Sequence, residues 1–131
     1  MATALKARSK TRAIPDYESL EYWNGIIKMS LSKFFVLCVL QRGPAHGYEI
    51  ARQVADCTNG SCSPTEGAIY PVLKEFLAGK YVTTKTQIVK GRTRKVYTVT
   101  KKGRRAFLVA AAAWREVGDR VDEVVSEVSG A

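Results

Sequence analysis

The stretch "SPTEGAIYPVLKEFLAGK", residues 63–80, decides the fold of this chain of 131 residues. It opens with a serine, a proline and, three positions after the serine, a glutamate, which together are typical of a helical capping box. Apolar residues then recur three and four positions apart: Ile69, Val72, Leu73, Phe76 and Leu77. One apolar stripe indicates one buried face. We therefore predict a half-buried helix over 64–78, with Ser63 as its N-cap, a bend at Pro71 and an end near Gly79.

The charged residues of the chain are segregated by sign. The net charge is +9, and residues 76–115 contain eleven Lys or Arg and no Asp or Glu. The first fifteen residues add four cations without an acid, whereas acidic side chains predominate after Arg115. A basic surface of this kind favours a polyanionic partner, and double-stranded DNA is the partner we predict. A solvated charged face is the alternative explanation.

The composition disfavours several classes of protein. No apolar run approaches the ~18 residues of a membrane span, and the basic N-terminus lacks the features of a signal peptide. The three cysteines, an odd number, predict free thiols in the cytoplasm rather than a disulfide framework. The sequence places no paired carboxylates in a plausible cleft and has no nucleophile motif or phosphate-binding loop after a strand, so we expect neither an enzyme nor a cofactor nor a metal site.

Helices and a hairpin are predicted on either side of the opening stretch. Helical spacing runs over 17–41, with Asn24-Gly25 as a candidate break, and a second helix is predicted over 46–57. The apolar positions of that second helix are Tyr48, Ile50, Ala51 and Val54. Residues 81–100 are rich in Val, Thr and Tyr, which predicts a β-hairpin with its tip at 90–94.

The last predicted helix follows Thr100 and has the most regular apolar spacing in the chain. Its seven seam positions are separated alternately by three and four residues: Phe107, Ala110, Trp114, Val117, Val121, Val124 and Val128. Such a heptad seam normally packs on another helix. A helix of ~25 residues reaches ~37 Å, more than a domain of this size needs. We therefore predict a homodimer joined by this seam, with Phe107 packing inside its own subunit.

Together these elements predict an α+β, mostly α, fold: a winged helix-turn-helix with a long C-terminal dimerisation helix. We divide the chain into a flexible basic arm (1–16), a DNA-binding domain (17–100) and the dimerisation helix (101–131). In such a fold the second helix of the pair enters the major groove. Recognition helix 64–78 and wing 90–95 are the predicted contacts. The candidate DNA-binding residues are Ser63, Thr65, Ala68, Tyr70, Lys74, Lys90, Arg92, Thr93, Arg94 and Lys95.

Three segments resemble the PadR family of transcriptional regulators: "GPAHGYEI" (43–50), "GAIYPVLKEF" (67–76) and "GRTRKVYTVTKKGR" (91–104). The resemblance implies a dimeric repressor that binds a palindromic operator and is released by a small molecule, often an aromatic one. It also implies that Tyr70 is the recognition-helix tyrosine. The basic wing implied by the same match consists of Arg92, Arg94 and Lys95.

The chain departs from the family pattern at two positions in and after the recognition helix. Ala68 stands where many relatives have a hydroxyl residue, and Lys80 stands where an apolar residue is common. Both departures bear on how the operator is read, and neither affects the predicted fold.

Trp114 lies on the seam, where the resemblance implies a tryptophan at the dimer interface. One hypothesis is that Trp114 and the partner's Trp114 flank a pocket for an aromatic effector, with Ala110 and Val117 beside it. The alternative is that Trp114 only fills space between the two helices.

The roles of the three cysteines and of the single histidine allow more than one interpretation. Cys57 and Cys62 flank the loop before the recognition helix and would suit a redox switch, although ordinary thiols are the simpler interpretation. Cys38 is assigned to the core, and His46 is expected to pack or hydrogen-bond beside its turn.

A competing function for the whole chain is a sequence-tolerant architectural DNA- or RNA-binding protein without an effector, because few hydrogen-bonding side chains project from the recognition face.

Overall fold

The computed structural model describes residues 13–60 and 62–130. For residues 28–30 it describes the backbone only. Its elements, in chain order, are helix α1 (Leu20–Leu40), strand β1 (Ala45–His46), helix α2 (Gly47–Cys57), helix α3 (Glu66–Ala78), strands β2 (Val82–Val89) and β3 (Arg92–Val99), and helix α4 (Lys101–Ser129). The predicted class, a mostly helical winged helix-turn-helix with a long last helix, is confirmed. Most of the predicted basic arm, 1–16, lies outside the described residues.

The core forms where α1, α2, α3 and the sheet meet. Its largest fully buried side chains are Leu40, Ile50, Ile69, Leu73, Val36, Val39, Val54 and Val82. The stripe predicted for the recognition helix is confirmed, because Ile69 and Leu73 are fully buried and Val72, Phe76 and Leu77 pack against the core. The opposite face of α3 remains exposed, so this helix is buried on one side only.

The start of α3 differs from the prediction. The helix begins at Glu66, and the N-cap is Thr65, whose side chain accepts a hydrogen bond of 3.1 Å from the backbone N–H of Ala68. Ser63 instead donates its hydroxyl proton to the carbonyl of Gly60, at 3.2 Å. The predicted capping box at Ser63 is therefore wrong, because the preceding loop uses that hydroxyl and the next hydroxyl residue along takes its place.

A capping box does occur, at the start of α2. The side chain of His46 accepts a hydrogen bond from the backbone N–H of Glu49, and the Glu49 carboxylate accepts one from the backbone N–H of His46. Histidine is not among the usual N-cap residues, which is why the sequence pattern did not reveal it.

The sheet has three antiparallel strands in the order β1-β3-β2. The short strand β1 was not predicted; it pairs Ala45 with the buried Tyr97 and so holds the start of α2 against the hairpin. In the hairpin Val89 pairs with Arg92, which leaves only Lys90 and Gly91 in the turn. Both have positive φ, 51° and 77°, as a type I′ turn requires.

The predicted five-residue hairpin tip is therefore wrong. Arg92, Thr93 and Arg94 belong to the β3 ladder, where they pair with Val89, Ile88 and Gln87 respectively. The right-handed twist of the strands favours a two-residue turn, and this ladder extends the paired strands to the turn itself.

Helix α1 runs through Asn24-Gly25 without a break. Its halves, Leu20–Ile27 and Leu31–Leu40, lie at 67° to each other, so the bend comes later than the predicted interruption. Among the described residues no single helix is long and apolar enough to cross a membrane, although these two halves together would pass on length and composition.

Helix α4 is attached to the body of the protein through its first turns. Thr100 caps it by accepting from the backbone N–H of Gly103 at 3.1 Å, and its hydroxyl donates to the carbonyl of Lys80 at 2.8 Å. Gly103 is buried because the backbone of Tyr81 passes close to it. Farther along, Phe107 stacks on Phe34 with a ring-centroid distance of 5.9 Å, as predicted for packing within the subunit.

Candidate nucleic-acid interface

The exposed face of α3 carries the side chains predicted to enter the major groove. Tyr70 is 44% exposed, and Ala68 and Lys74 are exposed beside it. Ser63 and Thr65 lie just before the helix, where the Thr65 hydroxyl caps its first turn and the Ser63 hydroxyl bonds to the preceding loop. These two residues position α3, and their backbone lies at the positive end of the helix dipole.

The wing presents its cations along β3 and the turn. Lys90, Arg92, Thr93 and Lys95 are exposed, and Arg94 is partly buried. Because neighbouring side chains on a strand point to opposite faces, Arg92 and Arg94 lie on one face of the hairpin and Thr93 and Lys95 on the other. Three of the predicted cations of the wing, Arg92, Arg94 and Lys95, are thus arranged on two faces of a ladder, and Lys90 lies in the turn.

A concave basic surface separates the wing from α2. Its volume is about 400 Å³, and it is lined by His46, Tyr48, Glu49, Arg52, Val89, Lys90, Arg92 and Arg94. Arg52 was not predicted to belong to the interface. The prediction for Tyr48 as an apolar packing position is wrong, since this side chain is 54% exposed. The pairing of β1 with β3 brings α2 beside the wing. The helical spacing of apolar residues therefore could not show that Tyr48 and Arg52 lie at this surface.

A smaller cleft, of about 210 Å³, joins the wing to α3. It is lined by His46, Gly47, Glu66, Tyr70, Thr93, Arg94 and Lys95. Arg94 and His46 border both concave surfaces. The recognition helix, the start of α2 and the wing therefore form one continuous surface, which we call the basic face.

Tyr70 is held in a fixed position on the basic face. Its hydroxyl donates to Glu66 Oε2 at 2.5 Å, one turn earlier on α3. This hydrogen bond is the main reason why the pKa of Tyr70 is raised to about 12, with burial a smaller cause. A Cβ at Gly47 would lie 3.0 Å from Tyr70 Oη, so the ring rests closely on the start of α2.

His46 has a structural place beside the turn, as predicted. In addition to capping α2, its Nε2 lies 3.4 Å from Glu49 Oε1, and its ring stacks at 6.5 Å on that of Tyr48. Within the described residues there is no group of three His, Cys, Asp or Glu side chains that could hold a metal ion.

The apolar seam of α4 is largely exposed beyond its attachment to the body. Phe107 and Ala110 are partly buried, whereas the remaining seam residues are between 45% and 82% exposed: Trp114, Val117, Val121, Val124 and Val128. The first half of α1 is also apolar and exposed at Trp23, Ile26 and Ile27, which are 44%, 45% and 45% exposed. Sequence spacing did not reveal this second apolar surface, because the bend between the two halves of α1 decides which residues of its first half face outward.

A groove of about 300 Å³ lies at Trp114, between α1 and the end of α2. It is lined by Asn24, Ile27, Leu31, Phe35, Cys57, Thr58, Cys62 and Trp114. The two other residues predicted to line a ligand pocket, Ala110 and Val117, do not belong to this lining. Trp114 also stacks on Phe34 with a centroid distance of 6.3 Å, so its ring bridges the groove and the apolar contact between α1 and α4.

One of the three thiols, Cys38, differs from the expectation. Cys57 is exposed and Cys62 is buried, while Cys38 is partly buried rather than fully in the core. Burial is the main reason why the pKa of Cys38 is raised, and the neighbouring Cys57 thiol raises it further. Cys57 therefore has a thiol neighbour from α1, which the sequence spacing did not indicate.

Comparison with known proteins identifies the family. Residues 36–108 match the transcriptional regulator PadR-like family. The transcriptional regulator YqjI of Escherichia coli (strain K12) is 28% identical over 95 residues, which cover 72% of this chain and 41% of YqjI. The chain thus spans less than half the length of this curated relative.

Solved structures with the same architecture come from several bacteria. A transcriptional regulator from Clostridium thermocellum is 16% identical with a TM-score of 0.65, covering 74% of this chain and 95% of that one. A PadR-like regulator from Bacillus cereus is 22% identical with a TM-score of 0.64, covering 74% and 93%. PadR of Bacillus subtilis, in complex with operator DNA, is 26% identical with a TM-score of 0.55, covering 60% of this chain and 45% of that one.

Proposed function

We propose, from the premise that this chain belongs to the PadR-like family of transcriptional regulators, that it is a homodimeric repressor which binds a palindromic operator. The family consists of transcriptional regulators, so the chain is not an enzyme, as the sequence predicts. A repressor of this kind acts in the cytoplasm, and that is the location we propose for it.

The observation that carries the proposal is the basic face. Helix α3 buries Ile69 and Leu73 completely and leaves Tyr70 and Lys74 exposed on its other side. A helix held in this way can enter a major groove without losing its packing on the domain. The PadR of Bacillus subtilis has been solved with operator DNA, which supports the same partner for this chain.

The cations of the wing and α2 supply the contacts to phosphate in this proposal. Lys90, Arg92 and Arg94 lie around one concave surface with Arg52 from α2. Each cation that neutralises a phosphate releases condensed counterions, so binding should weaken steeply as salt is added. Contacts of this kind set the register of the protein on the duplex, whereas the groove-facing side chains of α3 select the sequence.

The exposed seam of α4 supports a dimer. Val117, Val121 and Val124 are each more than half exposed, and they follow one another at heptad spacing on a helix that projects from the body. Burying them against the same surface of a second copy removes this apolar area from water, at about 25 cal/mol for each Å². The two copies would then present two basic faces to two half-sites.

The groove at Trp114 supports an aromatic effector. A flat ligand entering it would contact Trp114 of α4 together with Leu31 and Phe35 of α1. Because Trp114 of α4 lines this groove together with residues of α1 and the end of α2, a bound ligand would alter the angle at which α4 leaves the body. In a dimer joined by α4, that angle sets the distance between the two basic faces.

The first test is selection of bound DNA from a random pool at moderate salt, followed by footprinting. We expect a palindrome with half-sites about one helical turn, or roughly 10 bp, apart. Lys74→Ala should weaken binding to the selected site, whereas Lys33→Ala, which removes a lysine paired with Glu75, should have little effect. Recovery of no preferred sequence, with tight binding to all duplexes, would contradict the repressor and favour the architectural alternative.

The effector is tested separately through Trp114. Titration with simple phenolic acids and planar aromatic compounds should change the tryptophan fluorescence of the wild type and release it from the selected DNA. Trp114→Ala should abolish this release from the DNA that the variant still binds, while Trp23→Phe serves as the matched control for the second tryptophan. An unchanged release in Trp114→Ala would mean that the effector site lies elsewhere.

A further inference from the structure

Glu66 is an acidic residue in the middle of the basic face. It is the first residue of α3, it is partly buried, and it lines the small cleft with Arg94 and Lys95. A carboxylate at this place repels the phosphates of an approaching duplex unless it has a specific partner there. In the part of the chain that the structure describes, no Lys or Arg forms an ion pair with it.

The hydrogen bond between Tyr70 and Glu66 decides whether the tyrosine hydroxyl can act as a donor or as an acceptor toward a ligand. A phenol has one proton to donate, and here the proton is donated to Glu66 Oε2 at 2.5 Å. What the hydroxyl then offers to a ligand is its lone pairs. Glu66 Oε1, which accepts no hydrogen bond within the described residues, adds a second acceptor beside it.

Gly47 keeps the tyrosine in this position. Its backbone φ is not in the left-handed region, so the glycine is not required by the conformation of the chain. The reason for a glycine is space, because a Cβ there would lie 3.0 Å from Tyr70 Oη and 3.2 Å from Cε1 and Cζ. The start of α2 therefore supports one edge of the ring while Glu66 holds the hydroxyl.

We infer that Glu66 makes Tyr70 an acceptor, and that the two oxygens together recognise the exocyclic amino group of a cytosine or adenine in the major groove. This inference rests on the proposed operator binding. In the major groove only cytosine N4 and adenine N6 are hydrogen-bond donors. Guanine O6 and thymine O4 are acceptors, and they cannot form a hydrogen bond with the two acceptor oxygens of Tyr70 and Glu66. Phosphate oxygens are acceptors too, so the pair is suited to bases and not to the backbone.

The alternative is that Tyr70 donates to a phosphate. That contact would break the hydrogen bond from the Tyr70 hydroxyl to Glu66. It would also place the unpaired Glu66 carboxylate close to the negative charge of the phosphate. Arg94 and Lys95, which line the same cleft, provide the positive charge that lets DNA approach Glu66. Glu66 is thus a positioning residue for Tyr70 as well as an acceptor in its own right.

The experiment measures base preference with the selected operator. Each half-site position is changed to all four base pairs, and the binding of wild type, Glu66→Gln, Tyr70→Phe and Glu75→Gln is compared at fixed salt. For wild type, loss of the amino group at one position should weaken binding by roughly tenfold to a hundredfold, the range of a good base contact. Glu75→Gln is the matched control, because Glu75 is an exposed carboxylate of the same helix and is paired with Lys33.

Glu66→Gln should change the preference at that one position. Glutamine still accepts from Tyr70 but offers an amide donor outward, so guanine or thymine becomes tolerated there and preferences elsewhere stay the same. Tyr70→Phe should reduce the preference at the same position. If Glu66→Gln strengthens binding equally on all sequences and keeps the wild-type preference, Glu66 is only a repelling charge and the inference is wrong.

The two levels of the proposal can fail separately. If the wild type selects no sequence, operator binding itself is contradicted. If the wild type selects an operator and Glu66→Gln keeps its preference at every position, only the role of Glu66 and Tyr70 is contradicted.

Discussion

The valines of the body and those of the distal half of α4 have opposite environments. Val36, Val39, Val54 and Val82 are at most 2% exposed, whereas Val117, Val121, Val124 and Val128 are between 54% and 82% exposed. The body therefore buries its apolar side chains within one chain, and the distal helix does not. A regular apolar stripe on a projecting helix indicates a surface completed by another molecule, and a second copy fits it because the stripe has heptad spacing.

The largest effect is expected where α4 joins the body. Gly103→Ala would place a Cβ directly against the carbonyl oxygen of Tyr81 and 2.6 Å from Val99 Cγ2. Because the first of these atoms belongs to the backbone, the helix has to shift, and we expect a decrease of about 3 kcal/mol or more in the free energy of unfolding. Denaturant titration measures it. A decrease of less than about 1 kcal/mol would show that α4 is attached more loosely than these distances indicate.

The second effect is expected on the distal seam. Val121→Asp combined with Val124→Asp should convert the proposed dimer to a monomer, because buried carboxylates without partners are strongly disfavoured. Operator affinity should fall roughly a hundredfold when two linked half-sites become two independent ones. Light scattering and gel shifts measure the two quantities. Leu108→Asp, at a residue 65% exposed on the opposite side of α4 from the seam, is the matched control and should remain dimeric.

The third effect concerns the wing and the salt dependence of binding. Arg92→Ala with Arg94→Ala should weaken binding on all sequences and lower the slope of log affinity against log salt by about one for each phosphate that the wing no longer neutralises. Arg120→Ala removes a cation of distal α4 that is paired with Glu123 and should leave the slope unchanged. An unchanged slope in the wing variant would remove the wing from the interface.

The smallest effect is expected at the other glycine of α4. A Cβ at Gly118 meets nothing within 4 Å in the single chain, in contrast to Gly103. Gly118→Ala should therefore stabilise the protein by about 0.5–1 kcal/mol through helix propensity alone. A thermal melt at several protein concentrations measures it. A decrease in stability would locate the partner's helix directly against this position.

Much of the architecture followed from local patterns. The stripe of α3 was predicted because a helix that packs on one side repeats its apolar residues at three and four positions, and Ile69 and Leu73 are indeed fully buried. The hairpin followed from Val and Thr content and from Gly91, which takes the positive φ of its turn. The family resemblance rested on the same segments, and it is confirmed over 36–108.

Other features escaped prediction because competing local solutions looked alike in sequence. Ser63 and Thr65 are both suitable N-caps, and the loop before them decides between the two by using Ser63 for itself. Tyr48 and Arg52 join the basic face only because β1 pairs with β3. The proximity of the Cys38 and Cys57 thiols depends on how α1 packs on the end of α2, and their separation along the chain does not predict it.

The sequence alone determined the helices, the hairpin and the segregation of charge, because hydrophobic periodicity and turn chemistry act over a few neighbouring residues. The tertiary structure alone decided that Tyr70 rests on Gly47 of α2, and that α2 and the wing share one concave surface. Such contacts join residues from different elements, and their distances depend on how whole helices and strands pack. Periodicity within one element carries no information about that packing.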